Sequence, residues 1–206
     1  MLYRLSGLLI FYVAVAFAPA VAATYDIDPS HTRIGFAVKH MVISVVKGEF
    51  QKFSGTFELD EAGVLTGAEA AIDTASVYTR DKKRDDHLRS PDFFDAENHP
   101  KITFVSKRIT NKGNKYTVIG DLTIRGVTKS IILTGEKLGE ATDPWGNHRA
   151  GFQAEGKINR KDFGVSFHKV LETGGFVVGD EVTLSLDVEG IKRKAPGEEK
   201  AKEHKH

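Results

Sequence analysis

Apolar residues alternate with polar ones along most of this 206-residue chain, and that period of two constrains its fold more than any other feature. In a strand successive side chains point to opposite faces, so strict alternation means sheet with one face buried. Ile34, Phe36, Val38 and His40 share one phase, as do Ala68, Ala70 and Ile72, and Ile102 and Phe104. Tyr116, Val118, Gly120, Leu122 and Ile124 form another set, followed by Val127, Ile131, Leu133 and Gly135. Ala150, Phe152, Ala154, Gly156 and Ile158, then Val182, Leu184, Leu186 and Val188, complete the pattern. Glu49 to Leu59 also reads as strand, but its apolar phase shifts between Phe50 and Phe53, as at a β-bulge.

This predicts an all-β fold of about eight antiparallel strands, with Lys112-Gly-Asn114 and Arg125-Gly126 as hairpin connections. The period is compatible with either a barrel or a sandwich. One short helix is expected from about Arg80 to Ser90, because Ser90-Pro91 ends or kinks it. With Phe93-Phe94 it would form a connection lying across a barrel mouth. An outer-membrane barrel is the rival reading, but that needs an apolar outer face. Lys, Asp and Glu at so many outward positions would be costly against lipid, so the soluble barrel is preferred.

The inward phase holds Ala68, Ala70, Gly120, Gly135, Ala150, Ala154 and Gly156 beside large aromatics. Small inward residues on several strands leave space that a ligand could fill. Alternatively, each one sits opposite a Phe and balances its volume.

The ends read differently. Residues 1–23 have the pattern of a cleaved secretion signal: Arg4 as the one charge, an apolar run from Leu8 to Ala18, and Ala20-Val-Ala22 as a small-x-small site. A run of about 11 apolar residues is too short to cross a bilayer, which takes about 20. Residues 24–190 then form one domain, and 191–206 a charged tail without apolar periodicity, expected to be disordered. The absence of cysteine excludes a lipidated cysteine, a disulfide framework and thiolate chemistry. Without Arg4 the acids and bases balance, which gives no case for nucleic-acid binding.

No catalytic motif is present. Outside the tail the histidines stand singly at 31, 40, 87, 99, 148 and 168, without the spacing of a metal site. Asp85, Asp86 and His87 are the best candidates for acid–base work. Neighbours on a helix point in different directions, however, so their adjacency is weak support for a relay. His40 continues the inward phase of Phe36 and Val38, as a core histidine or as a polar group near a cavity mouth.

Two phrases are unusual. Arg84 to Phe104 packs five acids, two histidines and three phenylalanines between strand-like runs, and Gly120-Asp-Leu-Thr-Ile-Arg-Gly-Val-Thr-Lys129 follows it. With Tyr25-Asp-Ile-Asp-Pro-Ser-His31, Gly35-Phe-Ala-Val-Lys-His40, Gly48-Glu-Phe50, Arg160-Lys-Asp-Phe-Gly164 and Val178-Gly-Asp-Glu-Val182, they resemble the YceI-like family of periplasmic polyisoprenoid-binding barrels. The chain departs from that pattern at Val77-Tyr-Thr-Arg-Asp-Lys-Lys83, where similar proteins carry a small Gly- or Asn-containing turn.

The resemblance implies a lipocalin-like eight-stranded barrel in the periplasm. Its ligand would be an amphipathic lipid such as a polyisoprenoid or quinone, with no other cofactor and no metal. Phe36, Val38, Phe104, Val118, Leu122, Leu133, Phe152 and Ile158 are expected to line the apolar channel. His31, His40, Arg84 and His87 are expected near an opening, in contact with a head group. A carrier is the favoured class. An enzyme acting on a lipid in the same pocket, or a stress-induced structural protein with incidental lipid, are the alternatives. Transient membrane contact and a homodimer are left open as partners.

Overall fold

The computed structural model describes residues 22–41, 43–168 and 177–194. Eleven strands and one α-helix follow in order: β1 (Ala23–Ile27), β2 (Arg33–His40), β3 (Ser44–Phe50), β4 (Phe53–Leu59), β5 (Leu65–Asp73), β6 (Val77–Tyr78), α1 (Lys82–Arg89), β7 (Lys101–Lys112), β8 (Lys115–Ile124), β9 (Val127–Thr142), β10 (His148–Asn159) and β11 (Val178–Lys192). All pairings are antiparallel, and β1 joins β11 to close the sheet.

The closed sheet is a barrel of eight staves. β1 and β2 lie end to end along β11, with Ile27 opposite Gly190 and Arg33 opposite Asp187. β3 and β4 form the next stave, interrupted at Gln51-Lys52, which is where the sequence showed its phase shift. Phe50 and Phe57 are both buried although their spacing is odd, because the interruption turns the strand over. In the β1–β2 break the Thr32 hydroxyl donates to Glu189 O (3.2 Å) and accepts from Glu189 N (3.0 Å). A side chain thus replaces the missing rung of the ladder.

Turn chemistry sets the registers. Arg125 and Gly126 both have positive φ (51° and 72°), the twist-compatible geometry of a two-residue hairpin between β8 and β9. β11 runs two residues past the 190/191 boundary expected from sequence: Ile191 and Lys192 pair with Asp26 and Tyr25. Arg193 N donates to Thr24 O at 2.8 Å. The leader expected over 1–23 lies outside the described residues except for Ala22 and Ala23, and the tail lies outside them from 195 onward.

The connection between β5 and β7 covers one end of the barrel. Asp81 caps α1 by accepting from Arg84 N at 3.1 Å, and Ser90 ends it, with its N–H on His87 O. The helix has almost no apolar stripe, so polar contacts hold it in place. Asp85 is buried and accepts from Thr79 N (2.8 Å) and Thr79 Oγ1 (2.5 Å). Arg89 donates to Ala75 O (2.7 Å) and Val77 O (3.1 Å). Beyond the helix, Arg125 donates to Pro91 O (2.7 Å) and to Phe93 O, tying the phenylalanine pair to the β8–β9 turn.

Candidate functional site

The barrel encloses a cavity of about 260 Å³ lined almost wholly by hydrocarbon. Every stave contributes: Ile27, Ile34, Phe36 and Val38 from β1–β2, Phe50 and Phe57 from β3–β4, and Ala68, Ala70 and Ile72 from β5. Ile102, Phe104, Val118, Leu122, Ile131, Leu133, Phe152, Ala154, Ile158, Leu184, Leu186 and Val188 complete the wall. The alternation read from the sequence is what brings these side chains to one face. All eight residues expected to line an apolar channel stand on this cavity.

The two ends differ. At the floor, Tyr25 stacks on Phe57 (ring centroids 5.0 Å apart, planes 8° apart). Phe152 meets Phe57 edge-on at 5.2 Å and Tyr116 at 5.8 Å. With Leu59, these rings fill the end where β1 begins. Burial, with Glu140 nearby adding to it, pushes the Tyr25 phenol above its ordinary value. At the cap end, Leu88, Phe93 and Phe94 of the β5–β7 connection and Phe163 and Val165 after β10 border the cavity.

The structure places the four expected head-group residues unequally. Arg84 is half-buried and donates from Nε to Thr79 Oγ1 (2.7 Å) and from a terminal nitrogen to Thr79 O (2.8 Å). Its guanidinium thus holds the helix to Thr79, just past β6. His87 lies edge-on to Phe93 (5.0 Å) and Phe167 (5.1 Å), with Nε2 3.0 Å from Asp92. His40 ends β2 at the turn into β3 and pairs with Ser44. These three share the cap end, and none borders the cavity. His31 does not join them. It sits in the β1–β2 break, with Nδ1 2.9 Å from Asp28, which also accepts from Ser30 and from Arg149, the latter near the opposite end of β10. Chain alternation could not reveal this, because the β1–β2 break interrupts the strand period at His31.

Asp85, Asp86 and His87 reach separate partners. Asp85 turns inward to Thr79, Asp86 pairs with Lys82 (2.7 Å) and Arg89 (2.9 Å), and His87 pairs with Asp92. Asp28, His31 and Glu189 bring ligand atoms within 4.8 Å of one another. The Arg149 guanidinium already neutralises two of them, at 2.8 Å from Asp28 and 2.5 Å from Glu189, so the donor set does not suit a cation.

Arg160 is the feature that sequence reasoning missed. Only 5% exposed, it borders the cavity and donates to Gly179 O (2.8 Å), Val165 O (2.7 Å), Val178 O (3.3 Å) and Asp180 (3.0 Å). Burial lowers its pKa, partly offset by Asp180. The hydrogen bond from Lys161, with the Lys161 and Arg160 charges, holds the Asp180 carboxyl below its usual range against partial burial. Its phrase, Arg160-Lys-Asp-Phe-Gly164, stands out in the sequence, but nothing there says that the arginine turns inward.

Comparison with known proteins agrees with this architecture. A family model described as YceI-like domain matches residues 25–190. UPF0312 protein plu2095 of Photorhabdus laumondii is 42% identical over 178 residues, covering 85% of this chain and 90% of that protein. Protein YceI of Escherichia coli O157:H7 is 40% identical over the same coverage. Among solved structures, Burkholderia cenocepacia BcnA superposes with a TM-score of 0.69 at 29% identity, covering 79% of this chain and 98% of that one. A polyisoprenoid binding domain from Saccharophagus degradans implicated in plant cell wall breakdown shares the fold, with a TM-score of 0.59 at 16% identity over 82% of this chain and 98% of that one. The chain belongs to the YceI-like family.

Proposed function

We propose that this protein is a periplasmic carrier that holds the hydrocarbon part of an amphipathic lipid, an isoprenoid or quinone tail, inside the barrel. The observation that carries this reading is the cavity itself: hydrocarbon from all eight staves around an apolar interior, with Arg160 as the buried charge at its edge. Such a chamber recognises an apolar chain by burial, which contributes roughly 0.8 kcal/mol per CH₂. The polyisoprenoid binding domain that shares the fold is consistent with a ligand of this class, although at its identity it speaks for the fold alone. The different partners of Asp85, Asp86 and His87 favour a carrier over an enzyme.

The test is native purification followed by mass spectrometry of the extracted compound. Recovery of a stoichiometric isoprenoid or isoprenoid quinone is expected. A protein that is empty, and that takes up no isoprenoid when offered one, would refute the carrier reading. Export is tested separately by N-terminal sequencing of the mature chain, expected to begin near Ala23 in the periplasmic fraction. An intact leader on a membrane-bound chain would contradict it.

A further inference from the structure

The β2–β3 hairpin rises from the cavity wall at the cap end. Its lower rungs belong to the barrel: Val38 lines the cavity and pairs with Val46, and His40 pairs with Ser44. Its upper part presents apolar side chains to solvent: Met41 is 38% exposed, Ile43 84% and Val45 55%. Lys39 is paired with Val45, and Lys47 is two residues further along the same outer face. Both lysines are exposed, and neither has an ion-pair partner among the described residues. Helix α1, also at the cap end, carries four basic residues against two acidic ones.

An apolar tip flanked by uncompensated lysines is the chemistry of a segment that sits in a bilayer interface, hydrocarbon inward and ammonium groups at anionic head groups. The rival apolar feature lies at the floor end, where Trp145 is 77% exposed in the β9–β10 turn. The charges beside it are already paired, Asp143 with Arg149 and Glu140 with Lys137, so the turn lacks the unpaired lysines that flank the hairpin tip. The aromatic floor also separates that end from the cavity.

We infer that the protein docks transiently on an anionic lipid surface through Met41, Ile43 and Val45 with Lys39 and Lys47, cap end down. This rests on the lipid-carrier reading and gives it a direction: the tail passes between bilayer and cavity at the end that the β5–β7 connection covers. A second copy of the chain on the hairpin, or docking by the floor end, are the outcomes that would replace it.

The experiment uses the whole mature protein and vesicles of phosphatidylethanolamine with phosphatidylglycerol, against vesicles of phosphatidylcholine. Co-sedimentation with the anionic vesicles is expected. Lys39→Gln with Lys47→Gln should weaken it by about 30-fold, the effect of two interfacial charges. Ile43→Glu should abolish it. Isoprenoid binding measured in solution without vesicles should be unchanged in both variants. Loss of that solution binding in the unaltered protein would strike the carrier reading instead.

Fluorescence supplies the orientation. The chain has one tryptophan, Trp145, at the floor end, and its emission should not shift on vesicles, whereas an Ile43→Trp, Trp145→Phe variant should shift to the blue. A shift of Trp145 in the unaltered protein, or a dimer that Ile43→Glu dissociates, would overturn the inference. Because Ile43 is exposed, these variants are expected to keep the native circular dichroism. Should Ile43→Glu unfold, Val45→Glu gives the same readout.

Discussion

The edge of the Phe104 ring occupies the place of the missing side chain at Gly120: a Cβ there would lie 2.4 Å from Phe104 Cζ. The same relationship recurs between Phe57 and Gly190 and between Phe36 and Gly48, each at 2.4 Å. Gly156 is similarly filled, by Leu133 and the Ile132 carbonyl. Gly48, Gly120 and Gly190 therefore balance the volume of a neighbouring ring, and Gly156 that of Leu133. The open space is bordered by Ala68, Ala70 and Ala154 instead.

The two kinds of small residue should respond oppositely to bulk. Gly120→Val overpacks a filled position and should cost about 1–3 kcal/mol. Ala154→Phe projects into the cavity and should lower lipid affinity at least about tenfold, the equivalent of about two buried CH₂ groups, with little loss of stability. Thermal unfolding and a lipid titration of both variants check this. Unchanged affinity in Ala154→Phe would remove that residue from the ligand path.

Arg80 carries a backbone penalty. Its φ is 65°, in the left-handed region. A side chain with a Cβ is disfavoured there by roughly 1–2 kcal/mol, and Asn tolerates the region better than Arg. Arg80→Asn should therefore stabilise the fold by about 0.5–1 kcal/mol, seen as a rise in Tm of about 1–4 °C. No rise would mean that the exposed arginine makes up for its own strain.

Tail length should govern affinity only up to a limit. At about 260 Å³ the cavity lies just below the usual range of ligand pockets, about 300–1,000 Å³. Each five-carbon unit enclosed contributes about 4 kcal/mol gross, so affinity should climb steeply over the first units. Once further units remain outside, it should level off. Calorimetric titration with isoprenoids of increasing length and one fixed head group distinguishes this from a flat series, which would mean that the tail is not what is recognised.

Acid should act through Arg149. Hydrogen bonds from Ser30, opposed by burial and joined by those from His31 and Arg149, hold Asp28 far below the usual carboxylate range. At Asp143 burial pushes the other way, but bonds from Arg149, Asn147 and Trp145 outweigh it. Both pKa values are depressed on folding, so their stabilisation is complete above the ordinary Asp value, about 3.9, and fades as pH falls below it. The stability gap between the native protein and Arg149→Met should then be widest at neutral pH and narrow below about pH 4. A gap that stays constant in urea unfolding from pH 7 to 3 would mean that the carboxylates do not gain from Arg149.

How far the sequence could be read follows from where period two applies. Within β8 and β10 the alternation fixed which side chains face inward, and the Gly-containing turns at 113 and 126 fixed the hairpins. Outside the strands it had nothing to say. Arg160 points into the barrel because its guanidinium finds three carbonyls and a carboxylate, a convergence that no local pattern encodes. Arg84 looked free for a ligand, but the backbone turn at Arg80 brings Thr79 within its reach. His31 was grouped with His87 by residue type, yet strand connectivity sets them toward opposite ends.

The seam between β1 and β11 joins the beginning of the domain to its end through three residue pairs, Tyr25 with Lys192, Asp26 with Ile191 and Ile27 with Gly190. Were the last strand to join last, the other staves would form an open, curved trough with apolar side chains on its concave side. Closure over so long a separation is slow compared with hairpin formation, which leaves an interval for a lipid to lie in the trough and be wrapped. Cargo enclosed in this way need not thread past the cap. Refolding from denaturant with an isoprenoid present should load the protein faster than adding the isoprenoid after refolding, and equal rates would assign loading to the finished barrel alone.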